Sequence, residues 1–427
     1  MRVLTVVDDL DRGGVQRGAL DYARGYSRHG HESALLVSSR GGLLETEARS
    51  AGLPLFLGGG ADRDARQAAA WTPDVVHVHS WGPLSKSEGR AIEEVLRHSE
   101  RRPMVIETAS FGKIDYGRRF DVVDVTLLLS KWALWRWRKW TRPFSPRPLG
   151  AVVPITVDPT TFYPDPGSFR AEHGIPEGAV LLGSIARPDP IKWHPLLIDT
   201  AVAVASERPD VYLAFVGPTD GACQRLAAAP DDVVRRTMVL PALTDDGALR
   251  AAYSALDVLL HASPIGETFG LVFLEALACG TPIATLATPH KNNSQLEVVG
   301  HGRGGLVAAN TRRYLSNVRR LAGDAGLRDR LSREGRGYVL STFTVDRVIP
   351  RVIEIAEAFR TEPTREEGLR AVRGISGLTT DVGDEEIRDS LSVLDGSIPL
   401  HRRLAMRLVH VPTVHRAMVA WQRRRWA

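Results

Sequence analysis

Short apolar runs alternate with amphipathic stretches from the first residues of the chain onward. Val3–Val7, Ala34–Ser38, Asp74–His79, Met104–Thr108 and Val125–Leu129 are each rich in apolar and β-branched side chains. Continuous rather than alternating hydrophobicity marks strands buried on both faces, so these runs predict parallel strands covered by helices, the first helix beginning near Val15. The rhythm breaks in a stretch containing Pro159, Pro164, Pro166, Gly167, Gly174, Pro176 and Gly178, residues that punctuate structure rather than continue it. It resumes at Val180–Ala186, Val211–Gly217, Val239–Leu240, Asp257–Ser263, Pro282–Leu286 and Gly305–Ala308. The pattern predicts an α/β chain with two doubly wound, Rossmann-like domains, residues 1–156 and 180–343, joined by a linker over 157–179. After Phe343 it turns helical and charged, which predicts a crossover helix over 344–361 and a helical basic tail over 362–427.

Composition narrows the class. With 427 residues and 43% hydrophobic content the chain fills two cores of ordinary size. It has no apolar run of spanning length, and Arg2–Val7 enters a strand without a charged-then-apolar leader, so the expectation is a cytoplasmic protein. Cys223 and Cys279 lie far apart and imply neither disulfides nor a metal site. The net charge of +5 fits an anionic partner, yet the predominance of Arg over Lys also fits a coding bias, so local clusters carry more information.

The most particular stretch is Gly266-Glu267-Thr268-Phe269-Gly270-Leu271-Val272-Phe273-Leu274-Glu275, continuing to Pro282. Glu267 follows a predicted strand and precedes a helix whose first turn offers unpaired N–H groups to phosphate or sugar oxygens; Glu275 lies further along that helix. Open α/β sheets bind ligands beyond the carboxyl ends of their strands, which is where this loop falls. The bland alternative, a helix with one surface carboxylate, does not account for so specific a block. After the first strand of the same domain, Arg187 and Lys192 place two cations on a strand-to-helix loop, suited to a departing diphosphate. Between the first strand and first helix of the other domain, Gly13 and Gly14 permit close backbone approach and positive dihedral angles.

Over roughly residues 1–360 the chain resembles the retaining GT-B glycosyltransferases of the group 1, or family 4, type. The resemblance rests on the Gly13-Gly14 turn, Pro73–His79, Val153-Pro154 to Phe162, Arg187 with Lys192, and above all the Glu267/Glu275 block. It implies a nucleotide-diphosphate sugar as co-substrate, bound mainly by the C-terminal domain, and an acceptor bound mainly by the N-terminal domain. No cofactor and no metal are implied, and the cleft between the domains would close over both substrates. By the same resemblance Arg187 and Lys192 hold the diphosphate, Glu267 the donor-sugar hydroxyls and Glu275 the ribose. Thr268, Phe269, Gly270 and Leu271 then line the sugar or phosphates through their backbone, with Gly13 and Gly14 facing the donor. Front-side attack with retention needs no covalent nucleophile, so the two glutamates are binding groups rather than a hydrolase pair.

Three departures from the family pattern stand out. The histidine common after the strand Met104–Thr108 is absent; the segment reads Glu107-Thr108-Ala109-Ser110, leaving Glu107 and Ser110 as candidate acceptor or sugar contacts. Gln16-Arg17 stands where Glu-Arg is common. The usual glycine pair after Pro282–Leu286 is replaced by Thr288–Gln295, polar residues expected to read the donor or acceptor. His77 and His79 alternate on one strand but lack a third ligand, and core or cleft-edge histidines are the better reading than zinc.

Two surfaces invite a membrane. Lys131–Arg142 holds four of the nine tryptophans among basic residues, a helix that either seats indoles at a lipid headgroup boundary or packs them as core. The tail combines seven arginines after residue 400 with Leu404, Leu408, Trp421 and Trp426 and no acidic residue; it suits a membrane surface or acidic partner, or a helix packed across the domains. Nucleic acid is not expected, for no recognised module accompanies these patches. Partners are therefore a nucleotide sugar and a glycan or lipid-linked acceptor, with peripheral membrane contact. The competing readings are a non-catalytic GT-B-like scaffold and a nucleotide-sugar epimerase. Glu267 and Arg187 are both expected to face a solvated cleft, so that Ala at either position spares the fold.

Overall fold

The apolar runs of the first half pair side by side into one parallel sheet. In the computed structural model, which describes all residues except 12, 83, 113–120, 144–146, 395 and 419–427, seven strands make it up. They are β1 (Arg2–Asp9), β2 (Glu32–Arg40), β3 (Leu55–Phe56), β4 (Val75–Ser80), β5 (Met104–Ala109), β6 (Val125–Leu128) and β7 (Leu149–Val152). Their order is β3-β2-β1-β4-β5-β6-β7. The chain leaves β1 toward β2 on one side and returns to β4 on the other, so the switch point lies between β1 and β4. β3 and β7 were not predicted: two residues are too few for a period, and Leu149-Gly150-Ala151-Val152 holds a glycine and an alanine where a buried strand usually carries branched side chains.

The second half repeats the plan with β8 (Val180–Ile185), β9 (Val211–Val216), β10 (Thr237–Leu240), β11 (Val258–His261), β12 (Ile283–Leu286) and β13 (Gly305–Ala308) in the order β10-β9-β8-β11-β12-β13. Its core packs Leu182, Leu213, Phe215, Leu260 and Ala284 against Leu197, Ala201, Val318 and Leu321 from covering helices. Thr219, Asp245, Asn310 and Asp324 accept backbone N–H groups through their side chains and so cap the starts of helices of this half.

By contact the chain divides into two units. The first comprises Met1–Thr156, Val345–Asp384 and the residues from Leu408 onward; the second comprises Val157–Thr344 and Glu385–Arg407. The Pro/Gly-rich segment belongs to the second unit and includes a short helix, Phe169–Glu172. The helix Val345–Arg360 belongs to the first, burying Val348, Ile349, Val352 and Ile355 against Tyr22, Tyr26 and Ile106. Arg360 pairs with Asp74, and Arg365 with the buried Asp124 at 2.6 Å, fixing the returning chain to the first sheet.

The tryptophan helix, Lys131–Thr141, decides between the two readings given for it. Trp132, Trp135, Trp137 and Trp140 are all buried, at 2–6% exposure, so the indoles are core and not a membrane face. Residues from the end of the chain cover them. His415 stacks on Trp140 with ring centroids 3.7 Å apart, His410 meets Trp135 edge-on, and Trp140 donates its indole N–H to the carbonyl of Val409. Arg136 is buried over the Trp140 ring at 4.4 Å, a cation–π contact in place of a phosphate contact. Trp421 and Trp426 lie outside the described residues.

Candidate active site

The second unit has its switch point between β8 and β11, because the chain runs from β8 outward through β9 and β10 and then returns beside β8 as β11. The loops after these two neighbouring strands carry the predicted chemistry. Behind β8, Asp189 builds a tight turn: its carboxylate accepts the N–H of Ile191 at 2.9 Å and its carbonyl accepts that of Lys192 at 2.8 Å. The buried Trp193 donates its indole N–H to the Arg187 carbonyl at 2.9 Å. The turn is thus pinned by backbone and leaves two side chains to the solvent side. The exposed guanidinium of Arg187 takes part in no hydrogen bond or ion pair with a described residue. Lys192 reaches across to the loop after β11 and pairs with Glu267.

The Glu267 carboxylate is held by two side chains. His261, the last residue of β11, places its Nε2 at 2.9 Å from Oε1. Its other ring nitrogen lies 3.0 Å from the hydroxyl of Thr285, its register partner on β12. If the threonine O–H donates to Nδ1, Nε2 carries the proton and donates it to the carboxylate, a relay that fixes the tautomer. Lys192 also bonds Oε1, while no described residue hydrogen-bonds Oε2. Burial alone would raise the Glu267 pKa, but the Lys192 charge and the His261 hydrogen bond outweigh it and hold the group at about 2. The carboxylate is therefore ionised, oriented, and has one oxygen uncommitted.

The loop itself is shaped for this. Gly266 has φ +68° and a Cβ there would fall 2.0 Å from the Asn292 carbonyl; Gly270 has φ +96° and a Cβ would strike the Phe273 ring. Between them Phe269 is buried edge-on to Phe343, so Phe269 anchors by its ring and offers only its backbone. The N–H groups of Thr268, Phe269, Gly270, Leu271 and Val272 donate to no described residue, and they lead into the helix Leu271–Ala278, whose N-cap Gly270 supplies no side-chain acceptor. An anion would find both hydrogen-bond donors and the positive end of a helix there.

Other predicted residues fall elsewhere. Glu275, on the helix Leu271–Ala278, accepts the buried Tyr253 hydroxyl at 2.7 Å. Gly13, Gly14, Glu107 and Ser110 belong to the first unit. Gly13 is extended at φ −160° and Gly14 is not among the residues with positive φ, so these glycines are not needed for dihedral freedom. A Cβ at Gly13 would meet the Gln16 amide oxygen at 2.4 Å, so the Gln16 side chain would have to shift. Glu107 accepts the Ser80 hydroxyl at 2.8 Å, and the Ser110 N–H bonds the Ser80 carbonyl. His77 is a satisfied core histidine between the Tyr26 hydroxyl (2.6 Å) and Thr108 (2.8 Å).

Two further expectations are corrected. Glu267 does not face open solvent; it is 7% exposed, because its two cationic or hydrogen-bonding partners close over it. The polar residues of 288–295 do not all face a ligand either. Gln295 is fully buried, accepts the Glu267 N–H at 3.1 Å and donates to Leu286 and Thr288, while Asn293 accepts the Thr288 N–H at 2.8 Å. These amides splint the Glu267 loop from behind. The sequence reading missed His261 and Thr285; a polar residue ending the apolar run Val258-Leu259-Leu260, six positions before Glu267, was the available signal.

A glycosyltransferase family 4 model matches residues 12–147, and a model described as glycosyl transferases group 1 matches residues 177–324. The fold is that of solved GT-B glycosyltransferases. A glycosyltransferase from Rickettsia africae aligns with TM-score 0.68 at 16% identity, over 83% of this chain and 98% of that one. Anabaena HepE in complex with UDP-glucose aligns with TM-score 0.63 at 15% identity, over 84% and 99%. The chain thus matches a glycosyltransferase family 4 model and then a group 1 model, on the fold of the GT-B glycosyltransferases. Among curated relatives, a D-inositol 3-phosphate glycosyltransferase of Salinispora tropica is 30% identical over 50% of this chain and 47% of its own length. One from Arthrobacter is 38% identical over 31% and 32%. The chain matches less than half the length of these two relatives.

Proposed function

We propose that the protein transfers a sugar, with retention and without a metal, from a nucleoside-diphosphate sugar to a hydroxyl of a glycan, lipid-linked or small-molecule acceptor on the cytoplasmic side. The observation that carries the reading is the site at the β8/β11 switch point: an unpaired Arg187, Lys192, five free N–H groups and an ionised Glu267 with one uncommitted oxygen. Each part has a task in such a transfer. Arg187, Lys192 and the helix N-terminus would neutralise the charge that grows on the diphosphate as the glycosidic bond breaks. An ammonium has three N–H groups, so Lys192 can keep Glu267 and still meet a phosphate oxygen. Glu267 Oε2 would accept a donor-sugar hydroxyl, and the His261–Thr285 relay would keep it in place. No side chain here needs to act as a covalent nucleophile, in keeping with front-side attack assisted by the leaving phosphate.

HepE binds UDP-glucose, which makes uridine the first base to test. In thermal denaturation with UDP, GDP, ADP, CMP and dTDP, one nucleoside diphosphate is expected to stabilise the protein, by about 2.7 kcal/mol at a hundredfold excess over its Kd. Turnover with the matching nucleotide sugar should follow, and the anomeric configuration of the product reads retention directly. Absence of any stabilisation at saturating concentrations would count against the transferase reading.

A further inference from the structure

The helix Leu400–Val409 is amphipathic the wrong way round. Its half-buried side carries Arg402, Ala405, Met406 and Val409, with Arg402 donating to the Ala287 carbonyl, while no residue of the helix is fully buried. Its outward side carries Leu400, Leu404 and Leu408 at 68, 51 and 59% exposure, each one turn from the next. Val411 and Val414 follow, so that of eleven exposed large apolar side chains among the described residues, five fall within these fifteen positions. Isolated surface leucines need no explanation, but a continuous stripe does.

Charge identifies what covers it. Arg403 and Arg407 are exposed and flank the leucines on the same side, His401 lies at the opposite margin, and from Gly396 to Met418 there are four arginines and no carboxylate. Two copies meeting through this stripe would bring arginine against arginine with nothing in the segment to neutralise them. A bilayer surface containing anionic lipid offers acyl chains to the leucines and phosphates to the arginines in one plane. We propose that the Leu400–Leu404–Leu408 stripe, with Arg403 and Arg407, docks the protein on an anionic lipid surface. The inference deepens the transferase reading, since such docking would bring the site to a lipid-linked acceptor, but its test does not depend on turnover.

The full chain is incubated with vesicles of phosphatidylcholine alone and of phosphatidylcholine with phosphatidylglycerol, then sedimented. Binding is expected with the anionic vesicles only, to weaken as salt rises, and to fall about fivefold for each of Arg403→Ala and Arg407→Ala. Leu404→Glu, at an exposed position that the fold does not use, is expected to abolish it. No sedimentation of the native chain with anionic vesicles, or equal sedimentation of Leu404→Glu, would overturn the proposal. A concentration-dependent dimer that Leu404→Glu dissociates would instead assign the stripe to a second copy. Stabilisation by a nucleoside diphosphate, measured on the same preparations, separates the two claims: its loss alone sinks the transferase reading, and loss of vesicle binding alone sinks this one.

Discussion

Glu267 is a carboxylate that is enclosed and yet available, and its neighbours explain both properties. One oxygen satisfies Lys192 and His261, and the other takes no protein partner. Removing the side chain leaves a half-buried ammonium and a buried imidazole without their acceptor, so Glu267→Ala is expected to cost about 3 kcal/mol of stability in urea unfolding. A loss below about 1 kcal/mol would show that the pair contributes nothing to the fold. Arg187 is the contrasting case. Its guanidinium is exposed and bonds nothing described, so Arg187→Ala should leave the melting temperature unchanged while kcat/KM falls about a hundredfold, the usual consequence of deleting one donor to a developing charge. Equal rates for the two proteins would remove Arg187 from the site. His261→Leu tests the relay from Thr285 to Glu267: the expected signature is a raised KM for the donor sugar with little change in the affinity for the nucleoside diphosphate alone, because only the orientation of Glu267 is lost.

At the scale of elements, the decisive contact is between the helix Lys131–Thr141 and the residues after Val409. A run of tryptophan and arginine reads equally well as a lipid-facing or a buried helix, because helical spacing says which side chains share a face but not what lies opposite. The answer came from residues almost 280 positions later, 415 against 140. Trp140→Ala is expected to destabilise the first unit by about 3 kcal/mol and to make the chain beyond Val409 cleavable by trypsin under native conditions. Unchanged protection at Arg416 would mean that the stacking with His415 does not hold the segment. The β8 and β11 loops show the opposite situation. There the elements were predicted from the sequence in the right order, and the loops fall together because β8 and β11 are neighbours in the sheet.

For the whole molecule, the two units should answer acid differently. The first buries His77 and His79; burial lowers both, His79 to about 3. Between the ordinary histidine value of 6.5 and that lowered value the unfolded chain binds a proton that the folded unit refuses, so stability falls as pH drops. The slope is about 1.4 kcal/mol per pH unit for each histidine, and Glu88 of the same unit, raised by burial to about 7, offsets one of the two with the opposite sign. The second unit relies on Glu267, whose lowered pKa gives a contribution that is complete above the ordinary carboxylate value of 4.5 and is lost only as pH falls toward 2. On acidification from about pH 7 to about pH 5, hydrogen exchange should therefore show the first unit loosening before the second. Simultaneous loss of protection would mean that the histidines titrate normally or that the units unfold as one.

Local information determined much of this protein. Apolar runs of two to seven residues located eleven of the thirteen strands among the described residues, because a strand covered on both faces is apolar nearly throughout. The cations at 187 and 192 and the glutamate at 267 were legible from their place on loops after apolar runs and from the resemblance of their block to a known family. What the sequence left open was every question of which side chains meet. That Lys192 and His261 share one oxygen of Glu267, that Gln295 supports the loop from behind, that four tryptophans face inward and three leucines outward, are all settled by strand order and by the return of the chain's end. Contacts between residues distant in sequence are fixed by packing and by the cost of burying unpaired polar groups, and neither leaves a periodic trace along the chain.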